Sequence, residues 1–132
     1  MALKVKSIHS PIDRKNDGLR IFAARFPPRG ISASRYDVWM PSLGPTEKTL
    51  FAFLGKKLSW PEFSKVFKAE MFLDGPIDSR SKNVKNHGQK FTLRLIKQLA
   101  TQGHVTLMCV CPEDRKECHR HLLRKLILSK QI

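Results

Sequence analysis

Chemically reactive side chains are concentrated in one stretch of the sequence, CVCPEDRKECHRH at positions 109–121. It holds all three cysteines, Cys109, Cys111 and Cys118, and two of the five histidines. Thiols and imidazoles bind zinc, and they also serve as nucleophiles and proton carriers. Metal binding, thiol catalysis and a purely structural role are therefore the three alternatives for this stretch.

The spacing of these residues disfavours metal binding. Structural zinc sites usually draw on two short-spaced ligand pairs separated by a loop. Here Cys109 lies in an apolar run, and no second pair occurs elsewhere in the sequence. We therefore expect neither a metal ion nor another cofactor.

An anion-binding loop of the phosphatase or rhodanese kind is also disfavoured. Cys109 and Arg115 have the six-residue spacing of such a loop. However, Pro112 lacks an amide hydrogen that the loop would need. Glu113 and Asp114 would place two carboxylates where a bound anion should sit, so the match is accidental.

The triplet Cys118, His119 and Arg120 has the better functional pattern. It stands at the expected start of the last helix, where free amides and the helix dipole favour an anion or a thiolate. We interpret Cys118 and His119 as candidate catalytic residues and Arg120 as an anion ligand. The structural alternative is a buried Cys118, with its two neighbours capping carbonyls or pairing with acids. For Cys109 and Cys111 the structural alternative is stronger, because small residues two apart on a strand share one buried face.

The elements that must position this triplet follow from periodicity and from turn residues. Alternation predicts a strand over 3–9, and a polar turn over 11–18 leads to a second strand over 19–26, with which the first could pair as a hairpin-like unit. A short helix is predicted around Ser34–Trp39. The continuous apolar run HVTLMCV, 104–110, predicts a buried central strand.

Helix signals dominate the middle and the end of the sequence. Thr46 is a candidate cap, and Ser59 with Glu62 forms a capping box before a helix whose inward stripe is Phe63, Val66, Phe67 and Met71. A basic amphipathic helix ends at Gly103, with an apolar face of Phe91, Leu95, Ile96 and Leu99. Leu122, Leu123, Leu126 and Ile127 form the stripe of a last helix over 118–129. We predict one domain, 1–132, of the α/β class: a small three-layer fold with a mostly parallel or mixed sheet and helices packed on it.

The charge of the chain favours a polyanionic partner. Lys and Arg number 25 against 11 Asp and Glu, a formal net charge of +14. No acid lies between Asp78 and Glu113. We expect the cations of this region to contact nucleic acid, namely Arg80, Lys82, Lys85, Lys90, Arg94 and Lys97. A solvated basic face is the alternative. No apolar run is long enough for a membrane span, and the start of the sequence lacks a secretory signal pattern, so we expect a cytoplasmic protein.

Three segments resemble a known family. ARFPPRGISASRYDVWMPSLGPT at 24–46, SWPEFSKVFKAEM at 59–71 and VTLMCVCPEDRKECHRHLL at 105–123 are similar to the signature regions of the YeaO-like branch of domain-of-unknown-function family 488. The resemblance rests on the PRG step, an acid before Trp, an L-x-P step and an apolar strand followed by CHR. It implies a small cytoplasmic prokaryotic α/β domain without an assigned reaction.

The resemblance also suggests which segments meet. If the strands before PPRG (27–30) and before CHR (118–120) are parallel neighbours, Arg25, Arg29 and Arg120 would line one crevice with Cys118 and His119. Asp37 would orient one of the arginines, and the crevice would suit a phosphate or a carboxylate. Alternatively, Arg25 and Arg29 form internal ion pairs with Asp37 and Glu113.

Three functions remain open on these grounds. The first is binding of a phosphate-bearing ligand, above all nucleic acid or a nucleotide, in the crevice between PPRG and CHR. The second is an enzyme acting on a small anionic substrate, with Cys118 or His119 at the reacting centre. The third is a non-catalytic partner protein.

Overall fold

The computed structural model describes residues 2–132 and contains short strands and helices in alternation. The strands are β1 (Leu3–Ser7), β2 (Leu19–Phe22), β3 (Val38–Trp39) and β4 (Val105–Cys109). The helices are α1 (Arg14–Asp17), α2 (Glu47–Leu54), α3 (Trp60–Met71), α4 (Lys90–Gln102) and α5 (His119–Ile127). Single 3₁₀ turns cover Ala33–Arg35 and Pro41–Leu43.

The strands form one parallel sheet in the order β1-β4-β2-β3. With the five helices packed around it, the sheet makes a small α/β domain, as the sequence predicted. The hairpin-like pairing expected between the first two strands is wrong, because β4 lies between them and pairs with both. Leu107 of β4 is in register with Val5 on one side and Ile21 on the other.

Alternating residues of the strands pack on opposite faces of the sheet, as a period of two requires. Ile21 and Leu107 belong to the larger core, which also includes side chains of α3, α4 and α5. Phe22 and Met108 point to the other face, where they form a smaller cluster with Ile8. The segment that follows β2 covers this smaller cluster through Ile31, Tyr36 and Trp39.

Local helix signals are confirmed where the residues that cap the helix lie close in sequence. Thr46 accepts a hydrogen bond from the Thr49 amide at the start of α2. Ser59 and Glu62 form the predicted capping box of α3. Phe63, Phe67 and Met71 are buried in the core, whereas Val66 is exposed. Gly103 follows the last residue of α4, and Cys118 is the N-cap of α5.

Two predicted elements need correction. The helix expected around Ser34–Trp39 is wrong: only one 3₁₀ turn forms there, and Val38 and Trp39 pair with Ile21 and Phe22 as an edge strand. The inward face of α4 is also shifted. Phe91 is 52% and Leu95 58% exposed, while Leu93, Ile96 and Ala100 are buried against the sheet.

All four strands run in the same direction, so their carboxyl ends share one edge of the sheet. That edge carries the segments that follow Ser7, Phe22, Trp39 and Cys109. Ligand sites of open α/β sheets lie at this edge. In the described part of the chain, residues 2–132, no helix is long and apolar enough to cross a membrane.

Candidate functional site

The three cysteines meet where β4 ends and α5 begins. Cys109 is the last residue of β4, Cys111 lies two positions further, and Cys118 is the N-cap of α5 in an extended conformation. Their Sγ atoms all lie within 4.8 Å of one another, and Cys109 Sγ is 2.9 Å from Cys118 Sγ. Cys109 and Cys118 are buried, and Cys111 is half-buried. The turn between strand and helix therefore folds the three thiols into one cluster.

The three thiols are close enough to titrate as a unit. The pKa of Cys111 lies below the ordinary value, because the thiols of Cys109 and Cys118 donate hydrogen bonds to its sulfur. The neighbouring sulfurs and burial raise the pKa of Cys118 and that of Cys109. The ionisation of one thiol therefore changes the pKa of the other two.

Arg120 holds the turn in place from inside the protein. Its side chain is 1% exposed. Nη1 donates to Cys109 Sγ at 3.0 Å and to the Cys111 carbonyl at 3.1 Å. Nη2 donates to the carbonyls of Pro112 and Glu113, at 2.9 and 3.2 Å. Burial alone would lower the pKa of Arg120, but the sulfur of Cys109 beside it outweighs burial and raises the pKa.

His119 is also buried and joins α5 to the end of β2. Its Nε2 hydrogen-bonds the carbonyl of Ala23. Because a carbonyl can only accept, Nε2 carries the proton in this contact. Nδ1 lies 3.9 Å from Cys118 Sγ, and the ring meets Phe67 edge to face at 5.8 Å. Burial lowers the pKa of His119, although the bond to Ala23 acts in the opposite direction.

The residues predicted for the PPRG side of the crevice do not converge on this cluster. Arg25 donates from Nε to the Pro45 carbonyl and from Nη2 to the Gly44 carbonyl, so it fastens the loop before α2. Arg29 is exposed on the loop after β2. The segment does approach the cluster through its backbone, since Ala23 is the residue bonded by His119.

Asp37 does not orient Arg25 or Arg29. It pairs with Arg20, Nη2 to Oδ1 at 3.0 Å, at the amino-terminal edge of the sheet. The hydrogen bond from Arg20 lowers the pKa of the Asp37 carboxyl. Burial, which would raise this pKa, has the smaller effect. Glu113 likewise forms no ion pair with either arginine, and its Oε2 accepts from the Ser7 amide at 2.6 Å. The role predicted for Asp37 is therefore corrected to a pairing at the opposite edge.

The cations expected to contact nucleic acid fall into three groups. Arg80, Lys82 and Lys85 are exposed in the irregular segment before α4. Lys90, the first residue of α4, is half-buried. Arg94 donates to the carbonyl of Ile132, and Lys97 donates to the carbonyl of Ser129, so these two hold the end of the chain after α5.

A basic cleft that the sequence did not reveal lies beside the turn before α5. Its volume is about 910 Å³. It is lined by four exposed cations, by two acids and by an aromatic wall: Lys56, Lys57, Arg115, Lys116, Glu62, Glu117, Phe53 and Trp60. The sequence places two of these cations after α2 and two before Cys118, but nothing in it indicates that the two turns face each other.

Helix α2 contacts both the PPRG side and this cleft. Phe51 lies against Phe26, with ring centroids 5.9 Å apart, and Phe26 directly precedes PPRG. Phe53 and Leu54, at the end of α2, line the cleft. The opposite wall ends at Glu117, the residue before Cys118. The cleft thus lies beside the turn that leads into CHR.

Fold and site together define a small parallel α/β domain with a thiol cluster and a buried arginine at the carboxyl edge of its sheet. The family model of DUF488-N3a, described as the active DUF488-N3 subclade, matches residues 3–131. The chain therefore belongs to this family, which confirms the resemblance to family 488. No curated protein and no solved structure matches the chain.

Proposed function

We propose that this protein binds a phosphate-bearing ligand, nucleic acid or a nucleotide, in the basic cleft beside the CHR motif. The observation that carries the proposal is the composition of the cleft. Four cations face two acids, and one of those acids, Glu62, is already engaged by the Ser59 amide. Phosphate groups are drawn to such an excess of lysine and arginine, which is also the source of most non-specific affinity for nucleic acids.

The aromatic wall of the cleft supports a ligand that carries a base. Trp60 and Phe53, whose ring centroids lie 5.8 Å apart, both line the cleft. Bases stack on aromatic faces without regard to sequence, at about 1–3 kcal/mol per base.

A cytoplasmic location agrees with three free cysteines, since a reducing compartment keeps thiols unpaired.

The test compares two lysine pairs of equal charge. Affinity for a fluorescent single-stranded oligonucleotide is measured by anisotropy over a range of NaCl concentrations. We expect the cleft variant K56A/K57A to weaken binding and to reduce the salt slope by about 1.4, the value for two lost phosphate contacts on a single strand. The control K125A/K130A removes the same charge from two exposed lysines of α5 and the residues that follow it, outside the cleft and outside the predicted contact region.

Two results would refute the proposal. Equal loss in both double variants would mean that net charge alone drives binding. Affinity independent of salt would mean that phosphates are not contacted. A salt slope reduced only in the cleft variant supports the proposal.

A second candidate is an enzyme acting on a small anionic substrate, with Cys118 or His119 at the reacting centre. It is favoured by the direct sequence link between the cleft residue Glu117 and Cys118, and it agrees with the description of the subclade as active. A substrate at this centre must cover the half-buried Cys111. Saturating AMP should then slow iodoacetamide labelling of Cys111, whereas unchanged labelling with AMP bound would exclude this candidate.

A further inference from the structure

The thiol cluster has a metal-binding geometry that the sequence spacing conceals. The sequence disfavoured a metal because Cys109 lies in an apolar run and no second short-spaced ligand pair occurs elsewhere. In the fold, the charged turn closes through the bond from the Arg115 amide to the Pro112 carbonyl, and Cys118 returns to the end of β4. A short-spaced pair at a strand end and a third ligand at a helix start are thus brought together.

The sulfur positions fit a thiophilic ion after a small adjustment. Two thiolates on a tetrahedral zinc ion, each about 2.3 Å from the metal, lie about 3.8 Å apart. The three Sγ atoms here all lie within 4.8 Å of one another, which brackets this value. Cys109 and Cys118 are closer, at 2.9 Å. Metal binding has to move these two sulfurs about 0.9 Å further apart, from 2.9 Å to about 3.8 Å.

The positive charge of Arg120 balances the negative charge that a metal site of three thiolates would carry. In residues 2–132, no carboxylate forms a salt bridge with Arg120, although this arginine is buried. A buried cation needs an anionic neighbour. Three thiolates around a divalent cation carry one net negative charge, and the adjacent guanidinium neutralises it. The contact to Cys109 Sγ is also of the kind that holds and tunes a metal ligand from outside the coordination sphere.

His119 places one further potential metal ligand, its Nδ1 atom, at the edge of the cluster. Because its Nε2 donates to the Ala23 carbonyl, the lone pair of the neutral ring lies on Nδ1. That atom is 3.9 Å from Cys118 Sγ. A histidine that binds a metal through one ring nitrogen usually donates from the other nitrogen to a carbonyl or carboxylate in this way.

We propose that Cys109, Cys111 and Cys118 bind one thiophilic divalent cation of the zinc class through their three sulfur atoms. Each thiol that still carries a proton releases it to the solvent on binding. The three sulfurs leave one position of a tetrahedral ion for another donor, the pattern seen in zinc sites that do chemistry rather than only stabilise a fold. This site is separate from the basic cleft and does not depend on it.

The full chain, reduced and stripped of metal with a chelator, is titrated with Co²⁺ and then with Zn²⁺. We expect one Co²⁺ per chain by native mass spectrometry, a thiolate-to-cobalt charge-transfer band in the ultraviolet, visible bands of tetrahedral intensity, and displacement by Zn²⁺. In C111S, the charge-transfer intensity should fall by about one third, because one of three sulfur ligands is lost. The affinity for Zn²⁺ should fall at least about tenfold.

C111S is chosen because this side chain is half-buried, so the variant should keep the fold, which circular dichroism verifies. H121Q is the matched control on the same helix, outside the cluster, and should leave the cobalt spectrum unchanged. A thiol count supplies a second measurement: Zn²⁺ should protect all three cysteines of the native protein from Ellman's reagent.

Three results would overturn the metal site: no binding of Co²⁺ above background, a cobalt spectrum that C111S does not alter, or thiols that remain fully reactive with Zn²⁺ present. The two proposals fail separately. K56A/K57A should bind Co²⁺ like the wild type, and C111S should bind the oligonucleotide like the wild type.

Discussion

Arg120 Nη1 lies 3.0 Å from Cys109 Sγ, so the first turn of α5 is tied directly to the end of the central strand. The same guanidinium holds the carbonyls of Cys111, Pro112 and Glu113. Three successive carbonyls therefore point inward at one cation, and the turn that brings Cys118 to Cys109 owes its shape to this side chain.

Replacing Arg120 by Lys should cost about 3 kcal/mol in the free energy of unfolding. Lysine keeps the charge, but its single nitrogen cannot reach all four acceptors, and each lost bond is worth about 1 kcal/mol. Denaturant unfolding measures the loss. R124K is the control on the same helix, where the exposed Arg124 bonds only the Leu3 carbonyl, and it should change stability by less than about 1 kcal/mol. Equal effects in the two variants would show that Arg120 has no special role.

Asp17 should be one source of acid sensitivity. It is 1% exposed and accepts from Lys4 and Lys6, each at 3.0 Å. Burial alone would raise the pKa of Asp17, but hydrogen bonds from the Asp13 amide and the two lysines outweigh burial and lower the pKa below 3.8. A lowered carboxyl pKa stabilises the fold at pH values above 3.8, and this contribution disappears as the pH falls through the folded-state pKa.

The variant D17N tests this assignment against D37N. At pH 7, D17N should lose about 3 kcal/mol, because it leaves Lys6 with a buried and unpaired charge. Its unfolding free energy should then depend less on pH below 4 than that of the wild type. The exposed pair of Asp37 and Arg20 should contribute less than about 1 kcal/mol, so D37N serves as the control. An undiminished acid transition in D17N would assign acid sensitivity to other carboxyl groups.

Two glycines with positive φ should respond very differently to alanine. Gly18 and Gly30 have φ of 61° and 73°, where a side chain is strained. A Cβ at Gly18 would also overlap the carbonyl of His104, whereas nothing lies within 4 Å of one at Gly30. G30A should therefore cost about 1 kcal/mol, from strain alone. G18A should cost more than about 3 kcal/mol, because the start of β2 must move away from the segment before β4. Thermal unfolding measures the stability of both variants. Equal losses of stability would contradict the close approach of Gly18 to the His104 carbonyl.

Sequence reasoning succeeded where the deciding residues are neighbours. The Ser59–Glu62 capping box, the apolar run of β4 and the position of Cys118 at a helix start each depend on a few adjacent residues. The order of the strands in the sheet could not be predicted from adjacent residues. β1 and β2 look like a hairpin locally, but each gains more by pairing with the fully buried β4, some ninety residues further on.

The site was predictable in part for the same reason. CHR was placed correctly at the start of α5, but its contacts depend on how the 110–118 turn folds. The partner of Asp37 is Arg20, because parallel pairing puts the start of β3 beside the start of β2. The stripe on α4 was misjudged because Phe91 and Leu95 are also spaced one turn apart, and hydrophobicity alone does not indicate which stripe meets the sheet. The two basic turns that line the cleft are brought together only by the tertiary fold, so adjacent residues do not predict that they meet.

Lys56 should show a conflict between stability and binding. Its φ is 60°, and it lies where α2 ends, with the Lys57 amide bonded to the Ala52 carbonyl at 2.8 Å. This helix-ending turn normally has glycine at the left-handed position. K56G should therefore raise the free energy of unfolding by about 1 kcal/mol, because the strain on Cβ disappears. The same change removes a cation from the cleft, so oligonucleotide affinity should fall. K57G is the matched control: it removes the neighbouring cation without relieving strain, so it should weaken binding and lower stability. A K56G variant that is more stable and binds as well as the wild type would exclude Lys56 from the ligand site.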